Sequence, residues 1–378
     1  MGVAEFLKDT VDSFLGGRGK SSITVPVMDG PLQPNDALEH AAVAIEVPGI
    51  DNLIARGDGL LVSSGNRVLR VADGQAKVEL EFPSEVMSMA VRGDGVLAVG
   101  LDGVGLLLCG ADGNQKKVEQ IDDIRLTCPT AMTFDAAGAL HVCNGSATTG
   151  ARDWPRDLLE IGRSGAVVRM DPETGSGAVL ATGLAYPSGI CITGTGDVVV
   201  SEAWRHRLVR LSSGAAGEPV PVLEDLPAYP GRIARSSAGG YWLAAFAVRS
   251  QLQEFVLREH SYRRQMMAEV SPEYWIAPAL SSGHSFMEPL QAGGVIRLGI
   301  HKPWAPTRSY GLVVELDGDF VPLASAHSRA GGRHHGVTSL VETDGQLLVT
   351  AKGAGRLLTL QTNAFRHSLG KAGRRTAP

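Results

Sequence analysis

Residues Gly183–Leu211, GLAYPSGICITGTGDVVVSEAWRHRLVRL, decide the fold of this chain. A Tyr-Pro-Ser-Gly corner leads into a short apolar strand, a Gly-rich turn follows at 194–196, and two further short strands span 197–201 and 207–211. Proline fixes the backbone before the first strand, and glycine supplies the turn conformations. A meander of three short strands cannot bury its apolar faces alone, so it needs neighbours of the same kind.

Copies of this unit recur along the chain. Each copy has an apolar strand, a turn that ends in glycine and a second apolar strand. The glycines that mark the copies are Gly59, Gly95, Gly138, Gly196, Gly240 and Gly345. Repeats of about 40 residues or more with several strands each are typical of β-propellers. The six markers therefore predict an all-β fold, a six-bladed β-propeller spanning residues 41–362.

The last two markers, Gly240 and Gly345, lie 105 residues apart, which is too long for one blade. We therefore expect a partly helical insertion at 251–308, between the second and third strands of the fifth blade. Consecutive strands of a blade alternate in direction, so both ends of this insertion would lie at the channel mouth. Long insertions are often lids or binding loops, and the alternative here is a structural flap or an oligomer contact.

The two ends of the chain have separate predicted roles. Residues 1–40 form an N-terminal region in which apolar residues at helical spacing predict a short amphipathic helix over Val3–Leu15. Residues 363–378 form a basic tail. The sixth blade lacks an outer strand after Arg356–Leu360, so we expect Ala41–Val47 to supply that strand and close the ring.

Composition limits the possible functions. Of 378 residues, 44% are hydrophobic, which is ample for a core, and the net charge of −5 argues against nucleic acid as a partner. The N-terminal region has no long apolar run, so neither a signal peptide nor a membrane span is expected. The four cysteines lack CxxC spacing and indicate buried free thiols, which favours a cytoplasmic location. The sequence leaves the oligomeric state undetermined.

Polar residues converge where the innermost strands of a propeller begin, around one mouth of the central channel. By the repeat alignment this ring comprises Asp51, Met87, Thr130, Ser188, Gly231 and Val337, with Asn52, Ser88, Arg232 and Thr338 beside them. His334 and His335 directly precede the sixth of these strands. A concave mouth with a few polar groups is the default place for a ligand, so we expect a small-molecule substrate there.

The quoted stretch and Leu226–Phe246, LPAYPGRIARSSAGGYWLAAF, resemble the strictosidine synthase-like propellers, relatives of the gluconolactonase and senescence-marker lactonases and of the paraoxonases. Asp157–Gly175 resembles the third blade of the same family. The resemblance covers residues 45–360 except the insertion and implies a six-bladed propeller. It is less informative about activity, because the superfamily spans hydrolases, a Pictet–Spengler synthase and proteins of unknown role.

The resemblance implies two functional centres that this chain does not match. The calcium-dependent lactonases hold their metal with Asn, Asn and Asp, where this chain has Thr130, Ser188 and Gly231. These residues do not supply the oxygens of a strong hard-cation site, and Arg232 adds positive charge, so no metal and no cofactor is expected. The catalytic glutamate of strictosidine synthase corresponds to Thr338, so that role is not carried over.

A different polar set remains at the mouth. His335 or His334 would serve as a general base, Asp51 would orient it, and Arg232 would polarise an oxyanion. These four residues are the candidate catalytic groups for ester or lactone hydrolysis. The alternative is that the histidines form a solvent-facing turn while Arg232 and Asp51 form a structural ion pair.

Further residues are candidates for substrate binding at the mouth or on the insertion. They are Asn52, Thr130, Ser188, Glu202, Thr338, Tyr274, Trp275 and His284. The predicted function is a lactonase- or esterase-type hydrolase. The alternatives are a non-catalytic propeller that binds a small molecule or a protein, and a strictosidine synthase-like C–N lyase or condensing enzyme.

Overall fold

The repeats fold into six four-stranded antiparallel sheets, each with its strands in sequence order except the sixth. The computed structural model describes residues 25–57, 59–110, 113–212, 217–289, 296–297, 300–301 and 307–362. The predicted six-bladed propeller is therefore confirmed. The predicted helix over Val3–Leu15 and the tail at 363–378 lie outside the described residues.

The first four blades each use four consecutive strands, and strand β1 (Ala42–Glu46) precedes them. Blade I comprises β2 (Ile50–Arg56), β3 (Gly59–Ser64), β4 (Arg67–Ala72) and β5 (Gln75–Glu81). Blade II comprises β6 (Val86–Val91), β7 (Leu97–Leu101), β8 (Gly105–Cys109) and β9 (Gln115–Val118), and a short hairpin of β10 (Gln120–Ile121) and β11 (Ile124–Arg125) follows. Blade III comprises β12 (Pro129–Phe134), β13 (Leu140–Asn144), β14 (Gly165–Met170) and β15 (Gly177–Leu184). Blade IV comprises β16 (Pro187–Ile192), β17 (Val198–Glu202), β18 (Arg207–Leu211) and β19 (Val220–Leu223).

The fifth blade carries the insertion where the sequence predicts it, between its second and third strands. Blade V comprises β20 (Ala228–Arg235), β21 (Tyr241–Val248), β24 (Gly311–Leu316) and β25 (Pro322–Ser328). The described part of the insertion contains α2 (Gln251–Arg258), α3 (His260–Glu269), a 3-10 turn at Pro272–Tyr274, β22 (Ile296–Arg297) and β23 (Ile300–His301). Blade III carries a helix that the sequence analysis missed, α1 (Trp154–Leu159), between β13 and β14. Helices of the described residues are too short or too polar to traverse a bilayer.

The ring closes through the strand that the sixth blade lacks. Blade VI comprises β26 (Val337–Thr343), β27 (Gln346–Ala351) and β28 (Arg356–Gln361), with β1 as its outer strand. Ala42 lies opposite Thr359 and Glu46 opposite Arg356, so the predicted closure is confirmed. The segment before β1 also packs, because the side chain of Leu38 is fully buried in the core that blades V and VI share.

Apolar strands fill the spaces between blades. Val198, Val199 and Val200 are all fully buried, because one face of their strand packs on blade III and the other on blade V. The blades approach most closely near the channel. A Cβ atom at Gly189 would lie 2.0 Å from the carbonyl oxygen of Gly231, so only glycine fits at this point. All four cysteines are buried free thiols.

Hydroxyl groups around the channel join neighbouring blades. The Ser88 Oγ donates to the Pro129 carbonyl over 2.6 Å, Thr130 Oγ1 to the Pro187 carbonyl over 2.5 Å, and Ser188 Oγ to the Pro230 carbonyl over 2.8 Å. Thr350 Oγ1 likewise donates to the Asp51 carbonyl over 2.7 Å. These short bonds hold the innermost strands of blades I, III, IV and V to a neighbouring blade, and they therefore help to set the positions of the side chains at the mouth.

Candidate functional site

Three charged side chains meet at the channel mouth. Arg232 Nη1 lies 2.6 Å from Asp51 Oδ1, and Lys352 Nζ lies 2.8 Å from Asp51 Oδ2. Lys352 follows β27 at the mouth end of blade VI, and its ammonium is also 3.6 Å from Glu85 Oε1. The carboxylate of Asp51 is therefore engaged through both oxygens.

The guanidinium of Arg232 is committed to the protein itself. Beyond Asp51, its Nη1 donates to the Thr338 carbonyl over 3.0 Å. Its Nη2 donates to the carbonyl of Met87 over 2.6 Å and to that of Thr130 over 3.5 Å. A side chain from blade V thus contacts blades I, II, III and VI. The structural ion pair that the sequence analysis gave as an alternative is the arrangement observed.

The charge states follow from these contacts. Burial raises the pKa of Asp51, but the charges and hydrogen bonds of Arg232 and Lys352 outweigh burial and hold this pKa well below its usual range. Burial lowers the pKa of Lys352, and the attraction of Asp51 outweighs it, so this pKa lies above its ordinary value. At neutral pH Asp51 is ionised and Lys352 is protonated. In this charge state Lys352 can donate hydrogen bonds through its ammonium group but cannot act as a nucleophile.

A cavity of about 90 Å³ lies over these charges. Its polar lining consists of Asp51, Thr130, Ser188, Gly231, Arg232, Thr338 and Lys352. Its apolar lining consists of Met87, Ala151, Trp154, Tyr186, Phe246 and Leu280. A dry engineered cavity of roughly 150 Å³ admits benzene, so this cavity, which is open to solvent on one side, encloses only a few heavy atoms, and the rest of a larger ligand would extend out of it.

An aromatic cluster forms the apolar wall. The rings of Tyr186 and Trp204 stack at a centroid distance of 4.5 Å, and Trp154 meets Phe246 edge to face at 5.4 Å. Trp204 Nε1 donates to Asp157 Oδ1 over 2.7 Å, which fixes the orientation of the cluster. A flat apolar ligand would find complementary faces here.

The insertion contributes Leu280 to the wall of the cavity. This side chain lines the cavity and packs against the aromatic cluster together with Leu257 of α2. Its backbone lies directly on blade VI, since a Cβ atom at Gly353 would be 1.8 Å from the Leu280 carbonyl oxygen. The small residue beside Lys352 is therefore what allows the insertion to approach so closely.

The two predicted catalytic histidines are buried, with exposed fractions of 2% for His334 and 7% for His335. The solvent-facing turn that the sequence analysis gave as the alternative is therefore wrong. His335 Nδ1 lies 2.7 Å from Ser309 Oγ, which also meets Ser282, and its Nε2 lies 2.9 Å from the Arg329 carbonyl. This histidine thus joins the base of the insertion to blade VI. Neither ring is among the cavity-lining groups of the described residues, and burial lowers both pKa values.

The other mouth candidates divide into two groups. Thr130, Ser188 and Thr338 line the cavity, where the hydroxyls of Thr130 and Ser188 already donate to the next blade. Asn52 is buried and its amide donates to Ser63 Oγ over 2.9 Å. Glu202 is fully buried and accepts hydrogen bonds from the Ala185 backbone, Arg205 and Arg207. Asn52 thus contacts the neighbouring strand of blade I, and Glu202 holds the end of β17 to the adjacent segments; neither is part of the cavity lining.

The insertion candidates lie elsewhere on that segment. Trp275 is buried among Leu159, Val256 and Met266, and its Nε1 donates to the Val270 carbonyl over 2.8 Å. Tyr274 is partly buried in the 3-10 turn. His284 is exposed, with its Nε2 3.0 Å from Ser281 Oγ. The insertion residue that reaches the described cavity is Leu280.

Sequence reasoning missed Lys352 and Leu280. A usable signal existed for Lys352, because second strands run back to the mouth and this residue follows the second strand of blade VI. No comparable pattern marks Leu280, whose position depends on the path of the insertion across blade VI.

The residues at the mouth do not fit the calcium ion that the resemblance to the calcium-dependent lactonases implies. The carboxylate of Asp51 and the nearby carbonyl oxygens are the donor type that a hard cation requires. Here, however, a guanidinium binds those oxygens, and the ammonium of Lys352 binds the same carboxylate. In the described ranges, no three His, Cys, Asp or Glu side chains come together as a metal site.

Comparisons with known proteins agree with this architecture. A model of the NHL repeat matches residues 184–211. The adipocyte plasma membrane-associated protein of Rattus norvegicus is 24% identical over 307 residues, which cover 74% of this chain and 81% of that protein. The protein strictosidine synthase-like 13 of Arabidopsis thaliana is 33% identical over 100 residues, which cover 26% of this chain and 25% of that protein.

Solved structures give the same fold at low sequence identity. A gluconolactonase from Xanthomonas campestris superposes with a TM-score of 0.54 at 14% identity, covering 84% of this chain and 86% of that one. Regucalcin from Agrobacterium tumefaciens, a calcium-binding protein, gives a TM-score of 0.53 at 14% identity, covering 85% of this chain and 93% of that one. At such low identity these likenesses show the fold alone. Together with the sequence similarities, they agree with the six-bladed propeller fold of this chain.

Proposed function

We propose that the chain hydrolyses small esters or lactones with a flat apolar body at the propeller mouth. The observation that carries this proposal is the position of Lys352, a protonated hydrogen-bond donor that lines a cavity with an aromatic wall on its apolar side. A substrate carbonyl facing Lys352 Nζ would place its body against Tyr186 and Phe246. The structural likeness to a gluconolactonase is compatible with this chemistry, whereas the strictosidine synthase-like relative fits the alternative of a C–N lyase or condensing enzyme.

The proposed mechanism uses electrostatic stabilisation. Lys352 donates one N–H to Asp51 Oδ2, and its ammonium lies 3.6 Å from Glu85 Oε1. A further N–H donates to the carbonyl oxygen that becomes negative when hydroxide adds to the carbonyl carbon. Collapse of this intermediate breaks the bond to the leaving oxygen, which departs as an alkoxide and takes a proton from water. Asp51 keeps Lys352 charged and aimed. Arg232 does not contact the substrate in this scheme, because both of its terminal nitrogens are bound to Asp51 and backbone carbonyls.

The pH dependence tests this scheme against a histidine mechanism. The titratable groups that line the described cavity are Asp51, Tyr186, Arg232 and Lys352. The pKa of Asp51 lies far below neutrality, and burial raises the pKa of Tyr186 well above its usual value. With no neutral-pH base, kcat/KM should rise about tenfold per pH unit from about pH 6 to 9. A plateau above pH 7 would instead indicate an imidazole base and contradict the scheme.

The wall formed by Leu280 gives a test of the insertion's role. Leu280→Ala should raise KM for small substrates at least about tenfold, because apolar contacts to the substrate body are lost. Larger substrates should lose less, since the cavity widens. Leu252→Ala is the matched control, because Leu252 lies on α2 with 37% of its surface exposed. Equal kinetics for Leu280→Ala and the control would remove Leu280, and with it the insertion, from the site.

A second candidate function is binding without turnover. It is favoured by the commitment of Asp51 and Arg232 to each other and of Lys352 to the same carboxylate, which leaves these three charged groups already partnered within the protein. A panel of aryl esters, lactones and the matching carboxylic acids separates the two functions. Hydrolysis predicts product formation, whereas pure binding predicts saturable thermal stabilisation by ligands with no product.

A further inference from the structure

The guanidinium of Arg232 stands where the innermost strands of several blades converge. Its partners are Asp51 Oδ1 and the backbone carbonyl oxygens of Met87, Thr130 and Thr338, at 2.6 to 3.5 Å. These oxygens belong to four blades other than its own. The carboxylate oxygen of Asp51 carries a full negative charge and the three carbonyl oxygens carry partial ones. All four face the positively charged guanidinium.

Without a cation between them, these four oxygens would repel one another. A carboxylate and three carbonyl dipoles converging from separate blades resist closure of the ring unless positive charge lies between them. A guanidinium is always protonated and is planar, so two nitrogens can serve four acceptors at once. Because it is covalently attached to blade V, its presence does not depend on the metal content of the surroundings.

We propose that Arg232 is a built-in cation that joins the blades in place of a metal ion, and that removing its side chain leaves a site for a planar monovalent cation. The site is lined by Asp51 and the carbonyls of Met87, Thr130 and Thr338. Lys352 Nζ, 2.8 Å from the same carboxylate, disfavours a divalent ion in the vacated space. This inference is independent of the hydrolytic function, because it concerns how the ring is held together.

Thermal melting with chemical rescue tests the proposal. The wild-type chain should melt at the same temperature in millimolar calcium and in excess EDTA. Arg232→Ala should melt several degrees lower, and low millimolar guanidinium should restore part of the loss with saturation. Urea has the same shape without the charge, so it should give no rescue.

Each of the other outcomes would overturn the proposal. These are a saturable rise of the wild-type melting temperature with calcium, an Arg232→Ala chain as stable as the wild type, and equal effects of guanidinium and urea. If Arg232→Ala does not fold, Arg232→Lys and Arg232→Met decide the matter, since lysine keeps the charge and methionine keeps only the bulk. The lysine variant should then melt higher than the methionine variant, and equal melting or a reversed order would contradict the role of charge.

Discussion

Removing residues 1–48 is expected to prevent folding of the propeller. The deletion takes away β1, which pairs with β28 along Ala42–Glu46, and it removes the fully buried Leu38. It also removes Glu39, whose carboxylate accepts hydrogen bonds from Ser328 and the Arg333 backbone. Blade VI would be left with an exposed edge of unpaired backbone groups. Circular dichroism and size-exclusion chromatography of the truncated chain measure this outcome.

A shorter deletion, of residues 1–24, is the matched control. It keeps β1, Leu38 and Glu39, and we expect a cooperative melting transition close to that of the full chain. The point variant Leu38→Ala should lower the free energy of unfolding by about 2–5 kcal/mol, the usual cost of a large-to-small change in a packed core. A soluble and fully cooperative 49–378 chain would contradict the closure.

Replacing Asp51 by asparagine is expected to lower the free energy of unfolding by about 3–5 kcal/mol at neutral pH. The substitution leaves Arg232 and Lys352 at the mouth without their shared carboxylate. Glu79→Gln is the control, because Glu79 also pairs with two cations, Arg56 and Arg70, but near solvent. That change should cost less than about 1 kcal/mol. Equal effects of the two substitutions would contradict the importance of the buried cluster.

The cost of Asp51→Asn should depend on pH in a defined direction. The folded-state pKa of Asp51 is depressed, so its stabilising effect is fully present above the unfolded-state pKa of about 3.9. The effect is lost as pH falls below that value towards the folded-state pKa. Denaturant titrations should therefore give a constant difference between wild type and variant at neutral and mildly acidic pH, and a smaller difference near about pH 3.

The architecture could be predicted from the sequence because it is repeated. Each marker glycine, from Gly59 to Gly345, has an apolar strand before it and another after it. Because the pattern recurs, the prediction of each blade was strengthened by the prediction of the others. The closure by β1 followed from counting strands in blade VI. The meeting of Asp51 and Arg232 was also predictable, since the repeat alignment places both in or beside the ring of residues at the same mouth.

The remaining site could not be predicted in the same way, because it depends on non-repeated segments. His335 directly precedes an innermost strand, but its ring forms a hydrogen bond with Ser309 at the base of the insertion. Leu280 reaches the cavity only because Gly353 permits close backbone approach. The repeat alignment predicts the position of a residue along the channel axis. It does not predict the direction of the side chain, which depends on the hydrogen-bond and packing partners nearby.

The most direct test of the account is kcat/KM of Lys352→Met on a panel of aryl esters and lactones. We expect wild-type turnover and a loss of about 10²–10³ in kcat/KM for the variant, the usual cost of removing an oxyanion donor. Lys117→Met serves as control, because Lys117 forms an exposed pair with Glu119, and it should keep full activity. Circular dichroism at the assay temperature confirms that each variant is folded. Wild-type activity that survives unchanged in folded Lys352→Met, or no turnover of any panel member by the wild type, would contradict the proposed hydrolytic site.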